Sequence, residues 1–254
     1  MIHFYHSIRA ASFALLFVVA SPLAWSQEDS TVKPPPYRGV SEHVEGIFVT
    51  PVPGVPLSAV IEVKSTKVLA DGTNDVKKTS ENIARDSLGR IYNERRELVS
   101  PSFSGKPQLL SFHIFDPTSR LNTFLDPNTH LARQSTFPQR PSVPEAIPDS
   151  KVVARNPLLQ EQDLGTEIME NVVVRGTRKS RTVPARASGT GKEIVVTDEY
   201  WYSDELHLNM LVKHDDPRTG QQTVTVTRVD RGEPDQAIFE IPAGYRVVDE
   251  TPER

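Results

Sequence analysis

The sequence has no cysteine. That absence excludes disulfide bridges, thiolate metal sites, thiol nucleophiles and a lipid-modified amino-terminal Cys. Stability must therefore come from an ordinary hydrophobic core. Aromatic residues make up 7% of the chain and tryptophan occurs twice, so large apolar side chains are scarce. Only one long apolar run exists, Ala10–Ala20, and it is shorter than the ~20 residues that span a bilayer. Charge of one sign is also lacking. With 29 basic and 33 acidic residues the formal net charge is −4, which argues against nucleic acid or an anionic membrane as the main partner. No window longer than about a dozen residues has helical periodicity.

What is present begins with an export signature. Arg9, the apolar run Ala10–Ala20 and a polar exit with Ala24 and Ser26 at the small positions match a cleavable signal peptide over residues 1–26. The expected cut lies between Ser26 and Gln27, with a cut after Ala20 as the alternative. The remainder is expected in the periplasm or outside the cell, with no transmembrane span after cleavage. Residues 27–58 follow as a flexible proline-rich leader, including Pro34, Pro35 and Pro36.

From 59 to 245 a single antiparallel β domain is expected, with 246–254 as a tail. Ala59–Leu69 alternates Ile61 and Val63 with Glu62, Lys64 and Thr66, as a half-buried strand does. Residues 76–98 are heavily charged and read as two strands with wet outer faces, broken at Leu88-Gly89. Asp116-Pro117, Asp126-Pro127 and Asp216-Pro217 each separate short apolar runs. Proline fixes φ and aspartate bonds the backbone beyond it, so each predicts a hairpin turn. Further strands are predicted at Asp163–Met169, Val172–Thr182, Glu193–Tyr202, Leu206–Lys213, Thr223–Arg228 and Ala237–Ile241. A proline-rich loop, 137–157, interrupts the domain, and a few short helices are expected, with 41–58 and 150–162 as places for them. The class is mostly β.

Chemistry is sparse. His207 and His214 lie seven apart, an odd step that sends them to opposite faces of a straight strand. His113 reads as a hydrogen-bonded, half-buried side chain. No nucleophile elbow, zinc-binding helix motif or complete phosphate loop occurs. No catalytic residue, metal or cofactor is expected, and the chain is read as a non-enzyme; an envelope hydrolase is the least favoured alternative. Arg175, Arg178, Lys179, Arg181 and Arg186 form the densest basic cluster, and Tyr200-Trp201-Tyr202 the densest aromatic one. Arg175, Arg178, Arg181, Tyr200 and Tyr202 are candidates for a protein-contact surface.

A recurring order of motifs points further. Asp86-Ser-Leu-Gly-Arg90 is followed by Phe112-His-Ile-Phe-Asp-Pro117. Val174-x-Gly176-Thr177, Glu199-Tyr-Trp-Tyr202, the turn at Asp216 and Phe239-Glu-Ile-Pro-Ala-Gly-Tyr245 come after. Over roughly residues 59–245 this resembles the LolA/LolB-like lipoprotein-carrier superfamily. The resemblance implies a half-barrel of curved antiparallel sheet, in a meander of hairpins, whose concave face holds an apolar ligand, a lipid or a lipidated partner. Ile61, Phe112, Phe124 and Trp201 are then the expected lining. A filled core at those positions favours the alternative, an envelope scaffold that contacts other proteins. No segment reads as the lid helices of such carriers, and a hydrophobic content of 37% leaves little surplus to line a lipid cavity.

Overall fold

The computed structural model describes residues 47–69, 71–138 and 157–252. The expected signal peptide, positions 27–46 of the expected leader and positions 139–156 of the expected loop lie outside the described residues. The chain divides into a unit Met1–Arg38 and a unit Gly39–Arg254, and the second holds every element below.

Among the described residues twelve strands form one open, curved sheet. They are β1 (Leu57–Val68), β2 (Asn74–Arg85), β3 (Ile91–Arg96), β4 (Leu109–Asp116), β5 (Leu121–Asp126), β6 (Leu131–Thr136), β7 (Leu159–Met169), β8 (Val172–Val183), β9 (Ile194–Ser203), β10 (Leu208–Asp216), β11 (Gly220–Asp230) and β12 (Arg246–Asp249). Their order across the sheet is β12-β6-β5-β4-β3-β2-β1-β11-β10-β9-β8-β7. Two meanders, β1–β6 and β7–β11, therefore meet where β1 pairs with β11. There Thr227 donates to the Val60 carbonyl across 167 positions of sequence. Among the described residues the one α-helix, α1, is the four-residue Ala185–Ser188.

The Asp-Pro turns form as their chemistry requires. Asp116, Asp126 and Asp216 each accept the backbone N–H two residues on, at 2.8, 2.8 and 2.9 Å. In every case the residue four after the aspartate takes a positive φ: Arg120 (58°), His130 (51°) and Gly220 (110°). Glycine is obligatory only at the third, because a Cβ there would stand 2.0 Å from the Thr66 carbonyl oxygen.

Two hydrophobic clusters fill the interior. One joins Ile61 and Val63 of β1 and Ile83 of β2 with Val174, Trp201, Met210 and Val226. The other joins Phe112, Ile114, Leu125, Ala132 and Phe239. Within the first, Gly176 leaves room for an indole, since a Cβ at this position would lie 2.8 Å from the Trp201 ring.

Several expectations are corrected. Residues 76–98 do not simply present charges to water, because Arg85, Asp86, Glu94 and Arg96 are all buried. Arg85, 0% exposed, donates to three backbone carbonyls: Val55 (2.7 Å), Thr50 (2.8 Å) and Leu206 (2.8 Å). Carbonyls that would otherwise face an apolar interior thus compensate the guanidinium. Arg85 also pins part of the expected leader, where Ile47 and Val49 enter the core and no helix forms over 47–58. The adjoining Asp86 carboxylate accepts from the N–H groups of Leu88 (3.0 Å) and Arg90 (2.8 Å) and from Arg90 Nε (2.6 Å). The Asp86–Arg90 motif is therefore a self-bonded turn against which Pro53 packs at Gly89. Ala237–Ile241 is not a strand: Asp235 caps a 3-10 turn, Gln236–Phe239, by accepting from the Ala237 N–H. The tail is not free either. Arg246–Asp249 pairs in parallel with β6 and makes the sheet mixed.

Candidate functional site

A cavity of about 730 Å3 lies against β1, β2 and β11 beneath the loop from Val99 to Pro107. Directly paired residues of antiparallel strands share a face, so register builds the floor. Lys78 of β2 is opposite Lys64 of β1, Lys64 is opposite Thr223 of β11, and Thr223 is opposite Lys213 of β10. The row continues through Glu199 of β9 to Arg178 of β8. A second row, Ser80–Glu62–Thr225, runs beside it.

The wall is the β3–β4 loop. Val99 pairs with Lys78 by two backbone hydrogen bonds of 2.8 Å. At the loop's far end, buried Arg96 donates to the Pro107 carbonyl at 2.9 Å and to Glu94 at 2.7 Å. Between these anchors Val99, Pro101, Phe103 and Pro107 give the groove an apolar side, with Phe103 46% exposed. Opposite, Arg228 reaches Glu62 at 3.8 Å. Its φ of 54° sits in the β1–β11 register shift, where a bulge re-aims the side chain.

Charge divides unevenly along the row. Glu199 accepts from Trp201 Nε1 (2.8 Å), Arg178 (2.9 Å) and Lys213 (3.0 Å). Burial works to raise its pKa, but these three donors outweigh burial and draw it down to about 2. At the groove end Lys64 and Lys78 have no ion-pair partner among the described residues. Nothing in this arrangement pairs a nucleophile with a base.

The residues singled out from sequence are scattered. Ile61 and Trp201 lie in the first cluster and Phe112 in the second, each packed by neighbouring side chains. Phe124 is 52% exposed and stacks on His113, ring centroids 4.5 Å apart. His113 is half-buried and bonded to Asn122, and burial lowers its pKa. None of the four expected lining residues borders the groove. On β8 and β9, Arg175 stands opposite Tyr202, Thr177 opposite Tyr200 and Arg181 opposite Val196, so Arg175, Arg181, Tyr200 and Tyr202 share one face. Arg178 is on the other, held by Glu199. Sequence reading misses Lys64, Lys78, Thr223, Phe103 and Arg228. Lys64 is legible as a wet position of β1, but its neighbours depend on pairing with a distant strand.

No family model and no curated protein matches the sequence. Among solved structures, an uncharacterized conserved protein from Thermus thermophilus aligns with a TM-score of 0.41 and 9% identity, over 78% of this chain and 91% of that one. The complex of MucA and MucB from Pseudomonas aeruginosa aligns at TM-score 0.38 and 8% identity, over 76% of this chain and 58% of that one. A LolA superfamily protein from Nitrosomonas europaea aligns at TM-score 0.30 and 10% identity, over 74% and 91%. Likeness at this level assigns neither a ligand nor a partner.

Proposed function

We propose that this chain is an exported, non-enzymatic binding protein of the bacterial envelope whose working surface is the groove over β1, β2 and β11. One coincidence carries the reading: the same cavity has an exposed aromatic residue on its wall and two cations without an ion-pair partner among the described residues on its floor. Concave sites with a largely apolar wall and a few convergent polar groups are the usual form of a binding site. The positions expected to line an internal acyl cavity are occupied otherwise. Ile61, Trp201 and Phe112 are packed into core, so the geometry favours contact at the surface over carriage inside. The export part of the proposal rests on residues 1–26.

A photocrosslinking amino acid placed at Phe103, and separately at Phe124, tests the reading in the native envelope. The groove account expects a defined adduct, identified by peptide sequencing, from position 103 and none from 124. Adducts from 124 alone would refute it.

A further inference from the structure

Resting on that reading, we infer that the occupant of the groove is an extended acidic segment of a partner protein. A carboxylate sits between Lys64 and Lys78, and an apolar side chain lies against Phe103. Like charges placed directly opposite on neighbouring strands destabilise a sheet, yet Lys64 and Lys78 hold that relation. The same row shows the ordinary remedy two strands away from Lys64, where Lys213 and Arg178 share Glu199. Arg228 is likewise answered by Glu62. The floor therefore carries two positive charges without an ion-pair partner among the described residues, inside this cavity. Directly opposed residues have Cβ atoms about 5 Å apart, which lets both ammonium groups reach one carboxylate by short charge-assisted bonds.

The rest of the groove argues against a purely apolar occupant. Thr223, Thr225, Ser80 and the two lysines make the floor polar, and laying hydrocarbon over them removes water without replacing its hydrogen bonds. A segment alternating acidic and apolar side chains matches floor and wall together. Positions 76, 78 and 80 of β2 border the cavity, a length of about 13 Å, which suits four or five extended residues. The chain as a whole is acidic, so the attraction is local and weakens with salt.

The test uses a dye on Thr225→Cys, the only thiol the protein would then contain, and three probes. These are the peptide Glu-Leu-Glu-Leu-Glu-Leu, its Gln-for-Glu counterpart and dodecanoate. The inference expects the acidic peptide to shift the dye and the Gln peptide to bind at least ~10-fold more weakly. It expects Lys64→Met/Lys78→Met to remove that preference while the melting temperature stays level or rises by about 1–2 °C, because a repulsion has gone. Equal binding of both peptides overturns the acidic subsite and leaves the groove reading standing. Dodecanoate alone shifting the dye replaces the peptide by an amphiphile and overturns the inference. If no probe moves the dye, while an adduct still forms at position 103, the chemistry assigned to the partner is wrong. If neither occurs, the groove reading falls as well.

Discussion

Two sets of charges in this protein behave in opposite ways. At the β2–β3 end, Arg85, Asp86, Glu94 and Arg96 are buried and each is bonded. Along the groove, Lys64 and Lys78 are exposed, face one another and have no ion-pair partner among the described residues. Burying a charge is tolerable only when its partners are supplied, so the first set is tied to the integrity of the fold. Leaving two like charges unanswered at a cavity carries a small stability penalty and no structural gain, which is the ground on which binding is proposed for the second set. Stability and ligand affinity should accordingly respond to different substitutions.

The largest effect is expected for Arg85→Met. It orphans the Thr50, Val55 and Leu206 carbonyls and should cost about 3–4 kcal/mol in urea unfolding. Arg85→Lys should recover little of that, since a single ammonium cannot serve three diverging carbonyls as the planar fork does. A loss below about 1 kcal/mol for Arg85→Met would break the comparison.

Arg96→Met should cost about 3 kcal/mol by taking the ion-pair partner from Glu94, which keeps the Asn82 N–H and the Tyr92 hydroxyl as donors. It joins the two sets, because Arg96 also holds Pro107 and hence the groove wall. Probe binding should fall even at temperatures where the variant is folded by circular dichroism.

Glu199 tests the comparison through pH. Its folded-state pKa of about 2 lies below the ordinary 4.5. Its stabilisation is therefore fully present above about pH 4.5 and is lost as pH falls toward 2. The difference in unfolding free energy between the wild type and Glu199→Gln should be about 2 kcal/mol at pH 7 and should shrink across that window. A difference that stays constant with pH would show that Glu199 is not bonded as a carboxylate.

Lys64→Glu gives the smallest change in stability and the reverse sign. Placed opposite Lys78, the glutamate replaces a repulsion with an attraction, a gain of about 0.5 kcal/mol. The same substitution should abolish binding of the acidic peptide. Lower stability with unaltered binding would put Lys64 in the first set rather than the second.

How far the sequence reaches follows from the range of each interaction. The Asp-Pro turns at 116, 126 and 216 depend on atoms two residues apart, and all three are readable by eye. So is the alternation that buries Leu208, Met210 and Val212 in β10. The Arg85 site is different, because its acceptors come from residue 50, residue 55 and residue 206. A charged run with no visible partners reads naturally as wet. The groove is less legible still. Lys64 is close in sequence to Lys78, but its other neighbour in the row, Thr223, is supplied by β11 from the end of the second meander. Phe239 reads as part of a strand because the Ala237–Ile241 run is apolar; the Asp235 cap and Pro242 decide otherwise.

The most direct test of the division between structural and binding charges is a backbone amide chemical-shift titration with the Glu-Leu hexapeptide. The account expects the shifts to cluster at Glu62–Lys64, Lys78–Ser80 and Thr223–Thr225, with the Trp201 indole unmoved. Shifts centred on Trp201, Ile61 and Phe112 instead would mean that the core opens to admit a ligand, and would contradict it.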